Sequence, residues 1–217
     1  MNRRVALAVL PLLLAVTGCT SGAADDDPAP RPAAAERPSP FRDCATLSAA
    51  PTTASPGSGA ATPTSTAPGT PGPAAGGQAL PELTLSCFTG GAPIALRDVA
   101  GPAVINVWAS WCGPCRKELP AFQRLSERGA GRLQVVGVNT RDSRSGAQSI
   151  GEDFGVRFPI LVDQGDALQR ELKRNAFPLT LFVDAKGHIR HVDATGALDD
   201  AKLAKLVRQH LGLTVPA

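Results

Sequence analysis

The sequence predicts an α/β layer fold, a sheet flanked by helices, across residues 81–217. Three observations carry this. From Leu83 onward, short apolar runs alternate with longer helical stretches. One of those runs, Ala103-Val104-Ile105-Asn106-Val107-Trp108, is apolar apart from a single amide, as in a strand covered on both faces. The end of the chain reads as a hairpin followed by one amphipathic helix.

Taken in order, Leu83-Thr84-Leu85-Ser86 alternates as a strand does, Gly90-Gly91 turns the chain, and Ile94-Ala95-Leu96 returns as its hairpin partner. The buried run 103–108 is followed by a helix over about Gly113 to Arg128, with Pro120 inside it and Gly129 just past its end. Leu133 to Val138 is a second buried strand, Ala147 to Phe154 a helix, Ile160 to Val162 a short strand and Ala167 to Lys173 a helix. Leu179 to Val183 and Ile189 to Val192 pair across Asp184-Ala185-Lys186-Gly187. The closing helix gathers Leu203, Leu206, Val207 and Leu211 on one face. A core of this extent suffices for one domain.

The composition is that of a folding chain, 43% hydrophobic and 19% charged over 217 residues. The 22 Lys and Arg nearly balance 19 Asp and Glu, and the resulting +3 lacks any long basic run, which excludes a nucleic-acid partner. Proline is unevenly spread: more than half of the 20 prolines fall in residues 20–80, where Val and Ile are absent and no charge occurs between Cys44 and Pro81. Such a segment cannot offset its conformational entropy by burial, so residues 19–80 are expected to form a disordered tether. A flexible chain of this length reaches about 43 Å r.m.s.. The island Phe41-Arg42-Asp43-Cys44-Ala45-Thr46-Leu47 stands out within it.

The first 18 residues read as export machinery. Asn2-Arg3-Arg4 is cationic and Val5 to Val16 is apolar, interrupted only by Pro11. That run is too short to cross the ~30 Å hydrocarbon core, so a cleaved signal peptide is expected. Arg3-Arg4 lacks the rest of a twin-arginine motif, which leaves Sec export. Val16-Thr17-Gly18-Cys19 resembles the bacterial lipobox, which implies lipidation of Cys19 and anchoring on the extracytoplasmic face of the cell membrane.

The chemistry lies in Trp111-Cys112-Gly113-Pro114-Cys115, where the buried strand gives way to a helix. A thiolate at a helix N-terminus faces unpaired N–H groups and the positive end of the dipole, which favours its charged form. The second thiol is one turn inward, within bridging distance. Pro114 lies in the first turn, where no intrahelical bond is lost. This arrangement suits attack on a disulfide followed by resolution of the mixed disulfide. Zinc would need a second ligand pair. The nearest candidates, His188 and His191, read as surface positions around a hairpin, and Cys44 and Cys87 lie far apart in sequence, so no metal and no cofactor are expected. A purely structural bridge between Cys112 and Cys115 is disfavoured by the tight spacing and the tryptophan beside it.

Val107 to Pro120, with its Trp-Ala-Ser-Trp-Cys-Gly-Pro-Cys core, resembles the active-site strand and helix of the thioredoxin superfamily, in particular the TlpA/ResA-like extracytoplasmic branch. The resemblance covers roughly residues 81–214. It implies a thioredoxin-like fold, a central mixed sheet flanked by helices, with an N-terminal β-hairpin extension. It also implies that Cys112 is the exposed nucleophile and Cys115 the buried resolving thiol. Trp111, Gly113 and Pro114 would shape the site, and Phe177-Pro178 would match the substrate-holding cis-proline loop. Asn106 falls where cytoplasmic relatives place a buried aspartate, and an amide cannot serve as that base. Glu118 matches a glutamate of the extracytoplasmic branch, either tuning the thiols or standing as a solvated helix acid. Leu179 departs from the Thr or Ser often found after the family's cis-proline, so substrate preference does not transfer.

With Cys19 lipidated and Cys112 and Cys115 paired, Cys44 and Cys87 remain, and an oxidising compartment favours a structural disulfide between them. The expected activity is protein-disulfide reduction by a monomer acting on exported cysteine-containing proteins, apocytochrome c among them, with a membrane electron donor or acceptor as partner. An oxidase of secreted proteins is the alternative within the same chemistry. A copper metallochaperone is a remote one, since that branch adds a residue between its cysteines and a distant histidine. No Pro-x-x-x-Thr-x-x-Cys pattern supports a peroxidase.

Overall fold

A computed structural model describes residues 37–49 and 77–217. The expected signal peptide, Cys19 and the tether over 20–36 and 50–76 lie outside the described residues. The described residues form one eight-stranded mixed sheet in the order β1-β8-β7-β4-β5-β6-β2-β3. Its strands are β1 (Gln78–Ala79), β2 (Thr84–Cys87), β3 (Ile94–Ala95), β4 (Ala103–Trp108), β5 (Gln134–Thr140), β6 (Ile160–Asp163), β7 (Leu179–Val183) and β8 (His188–Asp193). Helix α1 (Gly113–Arg128) links β4 to its parallel neighbour β5, and α2 (Arg144–Asp153) links β5 to parallel β6. Helix α3 (Ala167–Glu171) leads to β7, and α4 (Asp200–Leu211) closes the fold. Strands β7 and β8 pair antiparallel with their neighbours.

Every residue of β4 is buried, and its alternation sorts the core into two layers. Val104 and Trp108 join Leu119, Phe122 and Leu125 of α1 and Leu203 and Val207 of α4 on one face. Ala103, Ile105 and Val107 join Leu168 of α3 with Leu47, Leu80 and Leu96 on the other. Asn106 therefore points to the α1 face, alone among apolar neighbours of its strand. Gly137 of β5 lies beside Trp108 and Ile160: a Cβ there would come 2.3 Å from Ile160 Cδ1 and 3.0 Å from the indole Nε1, so a larger residue would have to displace the Ile160 side chain.

The helix ends explain their boundaries. Ser143 Oγ accepts the Gly146 N–H, which starts α2 three residues before the predicted Ala147. Asp199 caps α4 through Lys202 N–H, and Gly212 ends it in the left-handed region with Arg208 and His210 in the last turn. Exposed Arg124 of α1 forks onto Asp200 of α4 at 2.8 and 2.6 Å.

Three expectations are corrected. The predicted tether runs through residue 80, yet Gln78–Ala79 pairs with Ile189 and His188 as an edge strand, and Leu80 is fully buried. Main-chain bonds suffice at an edge, so no apolar alternation marked it. The 41–47 island is also part of the fold: Phe41 packs edge-on to Phe88 at 4.7 Å, Leu47 is buried, and a short 3-10 turn spans Ala45–Ser48. Finally, His191 is less open than a surface position around a hairpin: its half-buried ring stacks on His210 at 4.0 Å with 4° between planes. The hairpin of β2 and β3 is present, and β2 also pairs with β6, which makes it an extension of the main sheet.

Candidate active site

The antiparallel register of β4 and β7 sets Val107 opposite Leu179, so the residues after β4 and those before β7 meet at one end of the sheet. The first group is Ala109 to Cys112, the second Phe177-Pro178. Cys112 caps α1: it is bridged to Cys115 with 5.3 Å between Cα atoms, and the Cys115 N–H donates to its Sγ at 3.2 Å. That amide and the helix dipole stabilise negative charge on Cys112 when the bridge opens. Cys112 is less open than the exposed nucleophile the resemblance implies, with 5% of its surface accessible against none for Cys115. In the bridged form its sulfur folds back over the first turn of α1. Cys112 is nonetheless the residue of the pair that retains solvent contact.

The exposed residue is Trp111, at 56%. Its ring meets Phe177 edge-on at 5.1 Å, and its Nε1 donates to the Arg141 carbonyl at 2.9 Å. Phe177 precedes buried Pro178 through a cis peptide. Pro114 is exposed, and a Cβ on Gly113 would meet nothing within 4 Å, so the first turn of α1 is open to an incoming chain.

Behind the pair, Glu118 is 1% exposed and is no solvated helix acid. It stands three residues after Cys115, on the same face of α1. Its Oε1 accepts from Asn106 Nδ2 at 2.7 Å and its Oε2 from the Leu198 N–H at 3.0 Å. Burial pushes its pKa up to about 7, against the pull of those two donors and with help from the negative charge of Asp193. Asn106 is fully buried, and its Oδ1 has no donor among the described residues. The amide supplies no base; it holds the carboxyl that does titrate.

Asp142 is a supporting residue the sequence reading missed. Its carboxylate accepts from Ser110 N–H (2.5 Å), Ser110 Oγ (2.6 Å), Asn139 Nδ2 (2.8 Å) and Ser143 N–H (2.8 Å). It thereby ties the loop before Cys112 to the loop after β5. The parallel pairing of β4 and β5 sets these loops side by side, and an acid two residues past a buried strand was the available signal.

Cys44 and Cys87 are bridged with 5.9 Å between Cα atoms, fastening the 41–47 island to β2. Among the described residues no three His, Cys, Asp or Glu side chains group as metal ligands.

The model for the AhpC/TSA family matches residues 76–192, more than half of the chain. Among curated relatives, the thioredoxin-like protein YneN of Bacillus subtilis is 32% identical over 120 residues, 54% of this chain and 69% of its own length. The thiol-disulfide oxidoreductase ResA of Geobacillus thermodenitrificans is 28% identical over 140 residues, 62% of this chain and 75% of its own. Among solved structures, a secreted thiol-disulfide isomerase from Corynebacterium glutamicum is 25% identical with a TM-score of 0.52, covering 61% of this chain and 83% of that one.

Proposed function

We propose, from the premise that the chain belongs to the AhpC/TSA family and is a thiol–disulfide oxidoreductase with a Cys112–Cys115 redox centre, that it reduces disulfides of exported proteins at the extracytoplasmic face of the membrane. The lipobox-like Val16-Thr17-Gly18-Cys19 supports a lipid anchor, and the secreted Corynebacterium glutamicum relative supports the compartment.

The observation that carries the direction is buried Glu118, one helical turn from Cys115, titrating near neutrality. Once ionised, its charge disfavours a thiolate on the resolving cysteine. The dithiol is then less stabilised relative to the disulfide, and the pair becomes the better reductant. In the forward reaction Cys112 thiolate attacks one sulfur of the substrate disulfide and expels the other as a thiolate. Cys115 gives its proton to Glu118 and attacks Cys112 Sγ, which reforms the protein disulfide and expels the second substrate sulfur as a thiolate. Two electrons pass to the substrate, and an external dithiol, supplied through a membrane electron donor, restores Cys112 and Cys115. Trp111, Phe177 and Pro178 form the platform on which the substrate chain lies.

The test is the equilibrium reduction potential of the Cys112–Cys115 pair. A value near the about −270 mV of thioredoxin supports the reductase. A value near the about −120 mV of strongly oxidising relatives replaces it with disulfide formation in secreted proteins.

A further inference from the structure

We infer that a basic groove adjoining the redox pair receives an acidic segment of the polypeptide whose cysteines exchange there, which rests on the oxidoreductase reading above. The groove, about 340 Å³, lies between the residue after β5 and the end of α3. Arg141, Arg170, Lys173 and Arg174 line it, with Asp166 as the only carboxylate among the lining residues. Four cations against one anion give the groove an excess of three, as large as the +3 of the whole chain. Asp166 is spent on Arg170. Arg141, Lys173 and Arg174 have no carboxylate at ion-pair distance among the described residues.

The groove begins where the rim of the redox site ends. Arg141 belongs to both: its carbonyl holds the Trp111 indole, and its guanidinium lies 5.2 Å over the Phe177 ring. On the other wall, Gln169 Nε2 donates to the Ala176 carbonyl at 2.9 Å and fixes the segment running into Phe177-Pro178. Arg141 and Lys173 are also the two non-glycine residues held at positive φ among the described residues, at 50° and 52°. Strained main chain of this kind gathers where a ligand is clamped. A chain lying across Trp111 and Phe177 with its sulfur at Cys112 continues directly over these cations, where Asp or Glu side chains find partners. An anionic lipid surface would satisfy the same charges. The polypeptide is favoured because the groove shares Arg141 with the rim over Cys112, so that the groove's occupant and the exchanging sulfur belong to one molecule.

The experiment reduces the oxidised protein with two dithiol peptides that share a Cys-x-x-Cys core, one flanked by three Asp and one by three Lys, with uncharged dithiothreitol as control. Second-order rates are read by acid quench and the mass of alkylated protein. The acidic peptide is expected to react about tenfold faster than the basic one at about 0.01 M ionic strength, the ratio approaching one at about 1 M. Lys173→Gln with Arg174→Gln lowers the ratio, and Lys173→Glu with Arg174→Glu inverts it, while the dithiothreitol rate stays equal in all three proteins and reports an intact site. Equal rates with both peptides in the unmodified protein, or a ratio that survives the double Glu change, overturn the groove. Binding to phosphatidylglycerol vesicles that the double Glu change abolishes, with no peptide preference, overturns it in favour of the membrane. Reduction by dithiothreitol, with neither reduced peptide reducing the protein and neither bridged peptide oxidising the reduced protein, overturns the oxidoreductase reading itself.

Discussion

Glu118→Gln separates a buried titrating acid from a merely structural one by its effect on stability against pH. In the oxidised protein none of the four bridged cysteines titrates, so the thiols do not obscure the profile. The carboxyl ionises at 4.5 in the unfolded chain and at about 7 in the fold. Below 4.5 it is protonated in both states and its contribution is fully present. As pH rises, the unfolded chain loses its proton first, so stability falls, and the loss is complete once pH has passed the folded value. At about 1.4 kcal/mol per pH unit the interval amounts to about 3 kcal/mol. Denaturant unfolding at pH 5 and pH 8.5 should therefore show the protein losing about 3 kcal/mol more than Glu118→Gln across that range. In thermal melts the difference is roughly 6–12 °C. The glutamine keeps the geometry: its Oε1 accepts the Leu198 N–H, and its Nε2 donates to the now unpaired Asn106 Oδ1 once that amide turns over. Asp193 and the His191–His210 pair are common to both proteins and drop out of the difference to first order. Profiles that agree within about 1 kcal/mol at both ends would refute the placement of a near-neutral acid behind the redox pair.

Replacing both Cys44 and Cys87 with alanine opens a loop of sequence separation 43 and is expected to cost up to about 4 kcal/mol in guanidinium unfolding. The reduction kinetics of Cys112–Cys115 should stay unchanged where the variant is folded. Asp142→Ala removes the acceptor of four hydrogen bonds, and a loss of at least about 2 kcal/mol is expected, together with altered fluorescence from Trp111. His210 has its pKa lowered by burial and by neighbouring His191, so its stabilising share is present above pH 6.5 and lost as pH falls through its folded value. His210→Gln should flatten the melting temperature between pH 7 and pH 5.

The strands and helices that carry large buried side chains were legible in the sequence, because period and apolarity report burial directly. Ala103–Trp108 and Leu179–Val183 coincide with β4 and β7, and Gly113–Arg128 with α1. The two-residue β1 was not legible, because main-chain pairing at a sheet edge leaves no trace in side-chain polarity. Cys112, Cys115 and Phe177-Pro178 were singled out by local motif and lie together at one end of the sheet. Asp142 and Arg141 escaped because their partners, Ser110 and Trp111, are some 30 positions away, and only the parallel pairing of β4 with β5 brings them together. Glu118 was seen, but its environment was not: whether a helix acid is solvated depends on α4 and the loop before it, since Leu198 supplies the covering donor from 80 residues downstream.

The buried acid and the basic groove act on different quantities, and salt and pH pull them apart. The groove is open to solvent, so its contribution is to encounter and decays with the Debye length, from about 30 Å at 0.01 M to about 3 Å at 1 M. Glu118 is sealed between Asn106 and Leu198, where mobile ions do not reach, so its effect on the potential persists at high salt and follows protonation through about pH 7. Glu118→Gln should therefore shift the potential at pH 8 equally at low and high salt and leave the peptide preference intact. Lys173→Glu with Arg174→Glu should invert that preference at low salt and leave the potential where it was. A single variant that moved both would show that the two features are one electrostatic site, with the groove's charges reaching Cys115 through the protein and not through the substrate.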